Sequence, residues 1–261
     1  MGRLDDKVAI VTGASSGVGA AAMQLFAAEG ARVVGVARRQ GVLEEVLAKV
    51  EAAGGEGMVV AADLSVESEA QAAHEAAVAR YGDIDVLVNC AGVGYAYRDV
   101  RPGSMDPIET TTSELWDEVM AINLGSAVHM IRLAIPVMRR RGGGSIVNVA
   151  SISGFTGLAA AHTYTAAKGA LINLTRSLAI TYARDGIRSN VVAPGFIDTP
   201  MVEAVIGLFD DETLRWQLSP MGRPATAEEI AYGCLFFAGD ESAYCNGSVL
   251  AMDGGTTAKG A

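Results

Sequence analysis

The sequence predicts a doubly wound α/β fold, in which helices cover both faces of one mostly parallel sheet. The first observation is that short, nearly continuous apolar runs recur along the chain, as strands buried on both faces require. The second is that amphipathic helical stretches separate these runs. The third is the length of 261 residues, which suits a single domain over 1–261. A ligand crevice is expected at the carboxyl ends of the strands.

Each strand and helix is predicted from its own periodicity. Seven apolar runs predict the strands, at 8–11, 32–36, 57–61, 86–89, 145–149, 189–193 and 248–252. Helical spacing of apolar residues predicts the helices between them, at 20–29, 43–53, 66–81, 114–138 and 163–184. Two segments, about 94–112 and 200–220, follow strand ends and fit neither pattern. They are predicted to be substrate loops, and the second carries enough apolar residues for a lid.

The amino-acid composition limits which partners the protein can bind and in which cellular compartment it is expected. The formal net charge of −10 argues against nucleic acid and anionic membranes as partners. No run approaches the roughly 18 apolar residues of a membrane span, and no secretory hydrophobic segment precedes the first strand. The three cysteines are scattered and the three histidines lack ligand spacing, so we expect reduced thiols, a cytoplasmic protein and no metal.

A glycine-rich turn follows the first predicted strand. Gly13 permits the tight turn, Gly17 lets the backbone approach a phosphate, and Gly19 allows close contact between helix and strand. The helix that starts here directs free N–H groups at an anion. Taken alone, the pattern fits either a diphosphate site or a tight strand–helix turn that binds nothing.

Four polar residues are candidates for catalysis. Tyr164 and Lys168 lie at i and i+4, on one helix face. A nearby ammonium lowers the pKa of a phenol from about 10 towards neutrality. Ser151 follows a strand, where a serine is either a turn or cap residue or part of the crevice. Asn123 lies in an apolar helical stretch. An amide there either forms hydrogen bonds within the core or belongs to the site.

These motifs occur in one order and together resemble the short-chain dehydrogenase/reductase family, from the first strand to Asp253. The family has a Rossmann-type fold. The residues that carry the resemblance are Thr12 to Gly19 as Thr-Gly-x-x-x-Gly-x-Gly, Asn89-Cys90-Ala91-Gly92, Asn123, Ser151, Tyr164-x-x-x-Lys168 and Pro194-Gly195. One departure is Cys90, where the family pattern usually has asparagine; the strand-end Asn89 is kept.

The resemblance implies a role for each candidate. Tyr164 would exchange a proton with the substrate oxygen during hydride transfer, and Ser151 would hydrogen-bond that oxygen. Lys168 would hold the nicotinamide ribose and lower the Tyr164 pKa, while Asn123 would position a water that relays protons. The residues implied to bind the cofactor are Gly13, Ser15, Ser16, Gly17, Val18, Gly19, Asp63, Leu64, Asn89, Ala91, Gly92, Tyr164, Lys168, Pro194, Gly195, Ile197 and Thr199.

The end of the second strand bears on the choice of cofactor. An acid there would bind the ribose 2′-hydroxyl of NAD, but the chain has Ala37, Arg38 and Arg39 instead. Guanidinium groups suit a 2′-phosphate, which favours NADP(H) over NAD(H). Arg38 comes first after the strand and is expected to matter more than Arg39. Ser16 stands where some NADP-dependent relatives have a basic residue, so NAD(H) remains the alternative.

Several readings of function remain open at this point. The favoured one is a carbonyl reductase or alcohol dehydrogenase acting on a hydrophobic cyclic, steroid-like or aromatic ketone or alcohol. The alternatives are a 3-ketoacyl-type reductase, a sugar or polyol reductase, an enoyl reductase and a non-catalytic NADP-binding regulator. The spacing of Tyr164 and Lys168 favours C–O chemistry, since enoyl reductases place these residues farther apart. Apolar residues on a second face of helix 163–184, together with the resemblance, predict a homotetramer.

Overall fold

A computed structural model describes residues 2–199, 201 and 207–259, and these form the predicted doubly wound sheet. All strand pairs are parallel, in the order β3-β2-β1-β4-β5-β6-β7. The order reverses between β1 and β4, so the crevice is expected above these two strands. The strands are β1 (Val8–Thr12), β2 (Arg32–Ala37), β3 (Glu56–Ala61), β4 (Val86–Asn89), β5 (Gly144–Val149), β6 (Ile187–Pro194) and β7 (Val249–Met252).

The helices lie on both faces of the sheet. Alternate residues of β1 explain this, because Ala9 and Val11 face one core and Val8 and Ile10 face the other. Helices α1, α2 and α8 cover the first core, and α3, α5 and α6 cover the second. The helices are α1 (Gly17–Ala28), α2 (Gln40–Ala52), α3 (Glu67–Tyr81), α4 (Ser113–Met120), α5 (Ser126–Arg141), α6 (His162–Tyr182), α7 (Glu212–Leu218) and α8 (Ala227–Ala238).

The predicted helix 114–138 is interrupted. Its first part is α4 and its last part is α5, and between them the backbone forms one π-helical turn, Ala121–Gly125. Periodicity of apolar residues does not reveal such a turn, because five residues are too few to set a periodicity of their own. Turns of this kind are frequent at functional sites, and this one contains Asn123.

Two helices of the C-terminal part were not predicted. Helix α8 begins with a capping box, in which Thr226 accepts a hydrogen bond from the Glu229 N–H and the Glu229 carboxylate accepts one from the Thr226 N–H. The spacing Thr-x-x-Glu is a readable sequence signal for a helix start. Helix α7 lies within the predicted loop 200–220, so that segment is partly helical. Residues 200 and 202–206 of the predicted lid lie outside the described residues.

The helical stretch Ser113–Arg141 is long and apolar enough to cross a membrane by length and composition alone. In the structure, α5 at its C-terminal end packs Met130, Ala134 and Met138 into the second core. The core helix of a globular protein passes the same test of length and composition. The packing of α5 therefore accounts for its apolar character.

Candidate active site

The glycine turn after β1 is shaped by close backbone contacts. Gly13 has a φ of +68°, and a Cβ there would lie 3.0 Å from the backbone nitrogen of Ala91. A Cβ on Gly19 would lie 2.4 Å from the Gly13 carbonyl oxygen. The Thr12 hydroxyl accepts hydrogen bonds from the N–H groups of Cys90 and Ala91, both at 3.0 Å. These contacts bring the ends of β1 and β4 together.

The N-terminus of α1 opens into a cleft of about 410 Å³ at this end of the sheet. Ser16 is the N-cap residue, and among the described residues its side chain makes no capping hydrogen bond. A helix N-terminus without a cap retains N–H groups for an anion. The uncapped helix and the tight glycine turn fit the diphosphate of a dinucleotide.

Most residues implied to bind the cofactor line this cleft. Two do not. Gly19 packs beneath the turn, and Asn89 is buried within the sheet. Those that line the cleft are Gly13, Ser15, Ser16, Gly17, Val18, Arg38, Arg39, Asp63, Leu64, Ala91, Gly92, Tyr164, Lys168, Pro194, Gly195, Ile197 and Thr199.

The side chain of Asn89, which the resemblance implies to be a cofactor-binding residue, lies in the core and not in the cleft. Its Nδ2 donates to Asn148 Oδ1 at 2.9 Å, and Asn148 Nδ2 donates to the Thr175 hydroxyl, also at 2.9 Å. All three side chains are buried. Asn89 therefore joins β4 to β5 and α6, and supports the cleft from within the core.

Tyr164 and Ser151 meet at the cleft wall. The Tyr164 and Ser151 side chains both line the cleft, and Ser151 Oγ accepts a hydrogen bond from the Ser153 N–H at 3.2 Å. Burial raises the pKa of Tyr164 above its ordinary value, and the nearby Ser151 side chain opposes that rise. The phenol therefore stays protonated at neutral pH in the free protein.

Lys168 is buried beside Tyr164, with its Nζ 5.7 Å from the centre of the Tyr164 ring. The Nζ donates to the carbonyl oxygen of Val149 at 3.1 Å. Burial lowers the pKa of Lys168 to about 8. In the free protein the Tyr164 pKa is raised, with burial of the phenol as the largest cause; that Lys168 lowers this pKa stays a prediction.

Asn123 is held firmly by the π-helical turn. Its Oδ1 accepts from the Val93 N–H and its Nδ2 donates to the Val119 carbonyl oxygen, both at 3.1 Å. A Cβ on Gly92 would lie 2.7 Å from Asn123 Oδ1 and 3.4 Å from Lys168 Nζ. Asn123 is thus a satisfied hydrogen bonder that also forms the cleft wall near Lys168.

The two arginines after β2 both line the cleft but have different neighbours. Arg39 Nη2 donates to Ser15 Oγ at 3.1 Å and to Ser16 Oγ at 3.5 Å. Arg38 instead lies near Tyr97 and Glu118, since its charge lowers the pKa of both groups. The structure therefore brings Arg39, the second of the pair, into contact with the glycine turn.

Tyr164 packs against a small apolar cluster. The partly buried side chains of Tyr95, Tyr97, Ile122 and Leu158 pack against the same cluster. A Cβ on Gly94 would lie 2.9 Å from Met201 Sδ, so the backbone at Gly94 and the Met201 side chain close this part of the cleft. The buried members of the cluster are Val93, Met105, Val119 and Ala161.

Sequence reasoning missed two residues of the cleft, Ile122 and Ser126, which reach it from the π-helical turn and the start of α5. No periodicity or motif marks these two positions. Tyr97 and Val100 also line the cleft, and they belong to segment 94–112, the predicted substrate loop. In the part of the chain that the structure describes, no cluster of three or more histidine, cysteine or acidic residues is placed to hold a metal.

The fold and the cleft together define a doubly wound dinucleotide-binding protein with a tyrosine–lysine–serine site. A family model described as enoyl-(acyl carrier protein) reductase matches residues 13–257. A cis-4-hydroxycyclohexanecarboxylate dehydrogenase of Sinomonas cyclohexanicum is 38% identical over 253 residues, covering 97% of each chain. A 3beta-hydroxysteroid dehydrogenase of Mediterraneibacter gnavus is 35% identical over 276 residues, covering 98% of this chain and 97% of that protein.

The solved structures agree with these relatives. A Burkholderia xenovorans protein assigned to the short-chain dehydrogenases/reductases superposes with a TM-score of 0.90, at 34% identity over 100% of both chains. The chain belongs to the short-chain dehydrogenase/reductase family. Members of this family are oxidoreductases that use NAD(H) or NADP(H), and this chain is an oxidoreductase of that class.

Proposed function

We propose that this protein transfers a hydride between NADP(H) and a hydrophobic cyclic ketone or secondary alcohol. The observation that carries the proposal is that Tyr164 and Ser151 line one cleft, with Lys168 buried beside the Tyr164 ring. All three side chains line the same cleft as the glycine turn and the α1 N-terminus. A proton donor and a dinucleotide site therefore share one cavity.

The reaction assigns one task to each side chain. The nicotinamide supplies or accepts the hydride. Tyr164 donates a proton to the ketone oxygen in the direction of reduction and removes it in the direction of oxidation. Ser151 donates a hydrogen bond to the same oxygen and stabilises the negative charge that develops there. Lys168 holds the nicotinamide ribose, and Asn123 fixes the wall behind Lys168, where a relayed proton would enter.

The substrate class is inferred from the apolar cluster around Tyr164. Val93 and Met201, which line the cleft, offer a substrate no side-chain hydrogen-bond donor, which disfavours a sugar or polyol and suits a ring of carbon atoms. Two relatives are named for a hydroxycyclohexane carboxylate and a hydroxysteroid, and both names specify an alcohol on a ring. The description of the family model names an enoyl reductase, but the spacing of Tyr164 and Lys168 favours C–O chemistry.

The preference for NADP(H) is inferred from Arg38 and Arg39. Both line the cleft beyond the end of β2, where Ala37 stands in place of an acid. Arg39 donates hydrogen bonds to the hydroxyls of Ser15 and Ser16, which belong to the glycine turn. Two guanidinium groups and two hydroxyls can surround a phosphate, whereas the ribose of NAD would meet no carboxylate at this strand end.

We expect Ala37→Asp combined with Arg38→Leu to reverse the cofactor preference. The carboxylate would accept from a 2′-hydroxyl and repel a 2′-phosphate, and the lost charged hydrogen bond would weaken NADPH binding roughly tenfold to hundredfold. The measurement is kcat/KM for NADPH and NADH with one shared ketone. Arg38→Leu and Arg39→Leu tested singly would decide which arginine matters more, and Arg184→Leu, an exposed arginine outside the cleft lining, is the matched control. A wild-type preference for NADH would contradict the proposal.

We propose further that the protein is a cytoplasmic homotetramer. Its three cysteines are free thiols, which supports the cytoplasmic location. Ile180 on α6 is 82% exposed, and a contact with another subunit would bury this apolar side chain. Ile180→Glu should then shift the mass measured by light scattering at micromolar concentration towards smaller species. Val66→Glu, at an exposed valine before α3, should leave it unchanged. A monomeric wild type would contradict this part of the proposal.

A further inference from the structure

Segment 94–105 crosses one side of the cleft, and we call it the strap. It begins with a 3₁₀ turn, Tyr95–Asp99, which brings the Tyr97 side chain into the cleft wall together with Arg38 and Leu64. The Ala96 N–H donates to the Met201 carbonyl oxygen at 3.2 Å, and the Ala161 N–H donates to the Met105 carbonyl oxygen at 3.0 Å. The strap is therefore attached to the protein at both ends.

Glu118, on α4, anchors the middle of the strap. The Tyr97 hydroxyl donates to Glu118 Oε1, and Arg101 Nε donates to Glu118 Oε2 at 2.9 Å. Arg101 also reaches Glu114 through its Nη2, at 2.9 Å. One carboxylate thus uses both oxygens to hold two strap residues, which fixes the Tyr97 ring from its hydroxyl end.

The charges around this anchor keep it intact at neutral pH. The hydrogen bond from Tyr97 is the largest of the effects that hold the Glu118 pKa below its ordinary value. Burial, followed by the bond to Glu118, raises the pKa of Tyr97 to about 12. Arg38 and Arg101 are the cations that face both groups. The phenol therefore remains a donor and the carboxylate an acceptor.

We infer that Tyr97 is a cofactor-binding residue for the adenosine half of the dinucleotide, and that Glu118 is the positioning residue that holds its ring. This inference rests on the proposed function. Tyr97 and Arg38 line the same cleft, and the charge of Arg38 acts on the Tyr97 hydroxyl, so Tyr97 lies towards the arginine that we assign to the 2′-phosphate of the adenosine ribose. An aromatic ring fixed at its hydroxyl offers its remaining surface to a base or ribose at a low entropic cost.

Glu118 has a second consequence, because it lies near Arg38. A 2′-phosphate that binds Arg38 comes close to the Glu118 carboxylate. The two negative charges repel each other, which weakens binding of the phosphate. A cofactor without that phosphate is not affected in this way. Glu118 therefore moderates the preference for NADP(H) that Arg38 and Arg39 confer, while it holds Tyr97.

The test titrates fragments of the cofactor and then measures KM for one ketone. ADP and 2′,5′-ADP would be titrated by calorimetry into the wild type, Tyr97→Ala, Tyr97→Phe and Glu118→Gln. Tyr97→Ala should weaken both fragments at least about fivefold, whereas Tyr97→Phe, which keeps the ring, should weaken them less. Glu118→Gln should raise the affinity for 2′,5′-ADP relative to that for ADP. Tyr244→Ala, at a fully exposed tyrosine, is the control, and thermal melting of each variant confirms that it is folded.

Three results would overturn the inference. The first is an unchanged affinity of folded Tyr97→Ala for both fragments. The second is a changed KM for the ketone without any change in fragment binding, which would place Tyr97 in the substrate wall instead. The third is an unchanged ratio of fragment affinities in Glu118→Gln. If the wild type binds neither fragment, the proposed function itself is wrong. That outcome is distinct from the three results above, which overturn only the inference about Tyr97 and Glu118.

Discussion

Tyr164→Phe is expected to lower kcat by a factor of about 10²–10⁴, the usual contribution of one general acid. The phenyl ring keeps the packing against the apolar cluster, so the fold and the cofactor cleft remain. What is lost is the proton that the substrate oxygen takes up. The measurement is steady-state turnover of a cyclic ketone, with NADPH affinity measured separately.

Tyr95→Phe provides the matched control for this substitution. Tyr95 packs in the same cluster, and its charge acts on the Tyr164 pKa, so it lies close to Tyr164. Removing its hydroxyl should leave most of the turnover intact, because the mechanism takes no proton from it. Wild-type turnover in folded Tyr164→Phe, or an equal loss in both variants, would show that the proton comes from elsewhere.

The second large effect is expected for Lys168→Met. The side chain keeps its length and loses its charge, so the ribose loses a charged hydrogen bond and NADPH affinity should fall roughly tenfold to hundredfold. Turnover should fall as well, because no cation remains beside Tyr164. Lys49→Met, at an exposed lysine of α2, should change neither quantity. Wild-type NADPH affinity in Lys168→Met would contradict the role assigned to Lys168.

Thermal stability should respond to Lys168→Met in the opposite direction. Burial lowers the Lys168 pKa to about 8 in the folded state, so keeping the ammonium buried reduces stability at neutral pH. This destabilisation disappears as the pH rises from about 8 to the higher pKa that the lysine has in the unfolded chain. In that pH range the folded protein has lost the proton and the unfolded chain still binds it. The variant loses the hydrogen bond to Val149, worth about 1 kcal/mol. Its Tm at neutral pH should therefore match or exceed that of the wild type.

The fold was largely predictable because a parallel sheet covered on both faces needs strands that are apolar throughout. Residues such as Ile10 and Leu87 lie in runs of that kind, and the structure confirms all seven strands. Helix α8 was missed although its Thr226–Glu229 capping box could be read from the sequence. The π-helical turn at Asn123 was not predicted, since a segment of five residues is too short to set a periodicity of its own.

The site was predictable where chemistry depends on local spacing, and less so where it depends on the route of a loop. Tyr164 and Lys168 share a helix face by their spacing alone, and Gly13 precedes a helix start. Tyr97 and Glu118 are 21 residues apart, and only the folded strap brings them together. The raised pKa of Tyr164 also required the structure, because it reflects burial and not sequence neighbours.

One stopped-flow measurement tests the central claim most directly. Wild type and Tyr164→Phe, each saturated with NADPH, would be mixed with a panel of cyclic ketones while the absorbance of the reduced nicotinamide is followed. We predict that the wild type oxidises NADPH with at least one ketone and forms an equal amount of secondary alcohol. Tyr164→Phe should bind NADPH equally well and oxidise it at least about a hundredfold more slowly. Equal rates in the two proteins would contradict the assignment of Tyr164 as the proton donor.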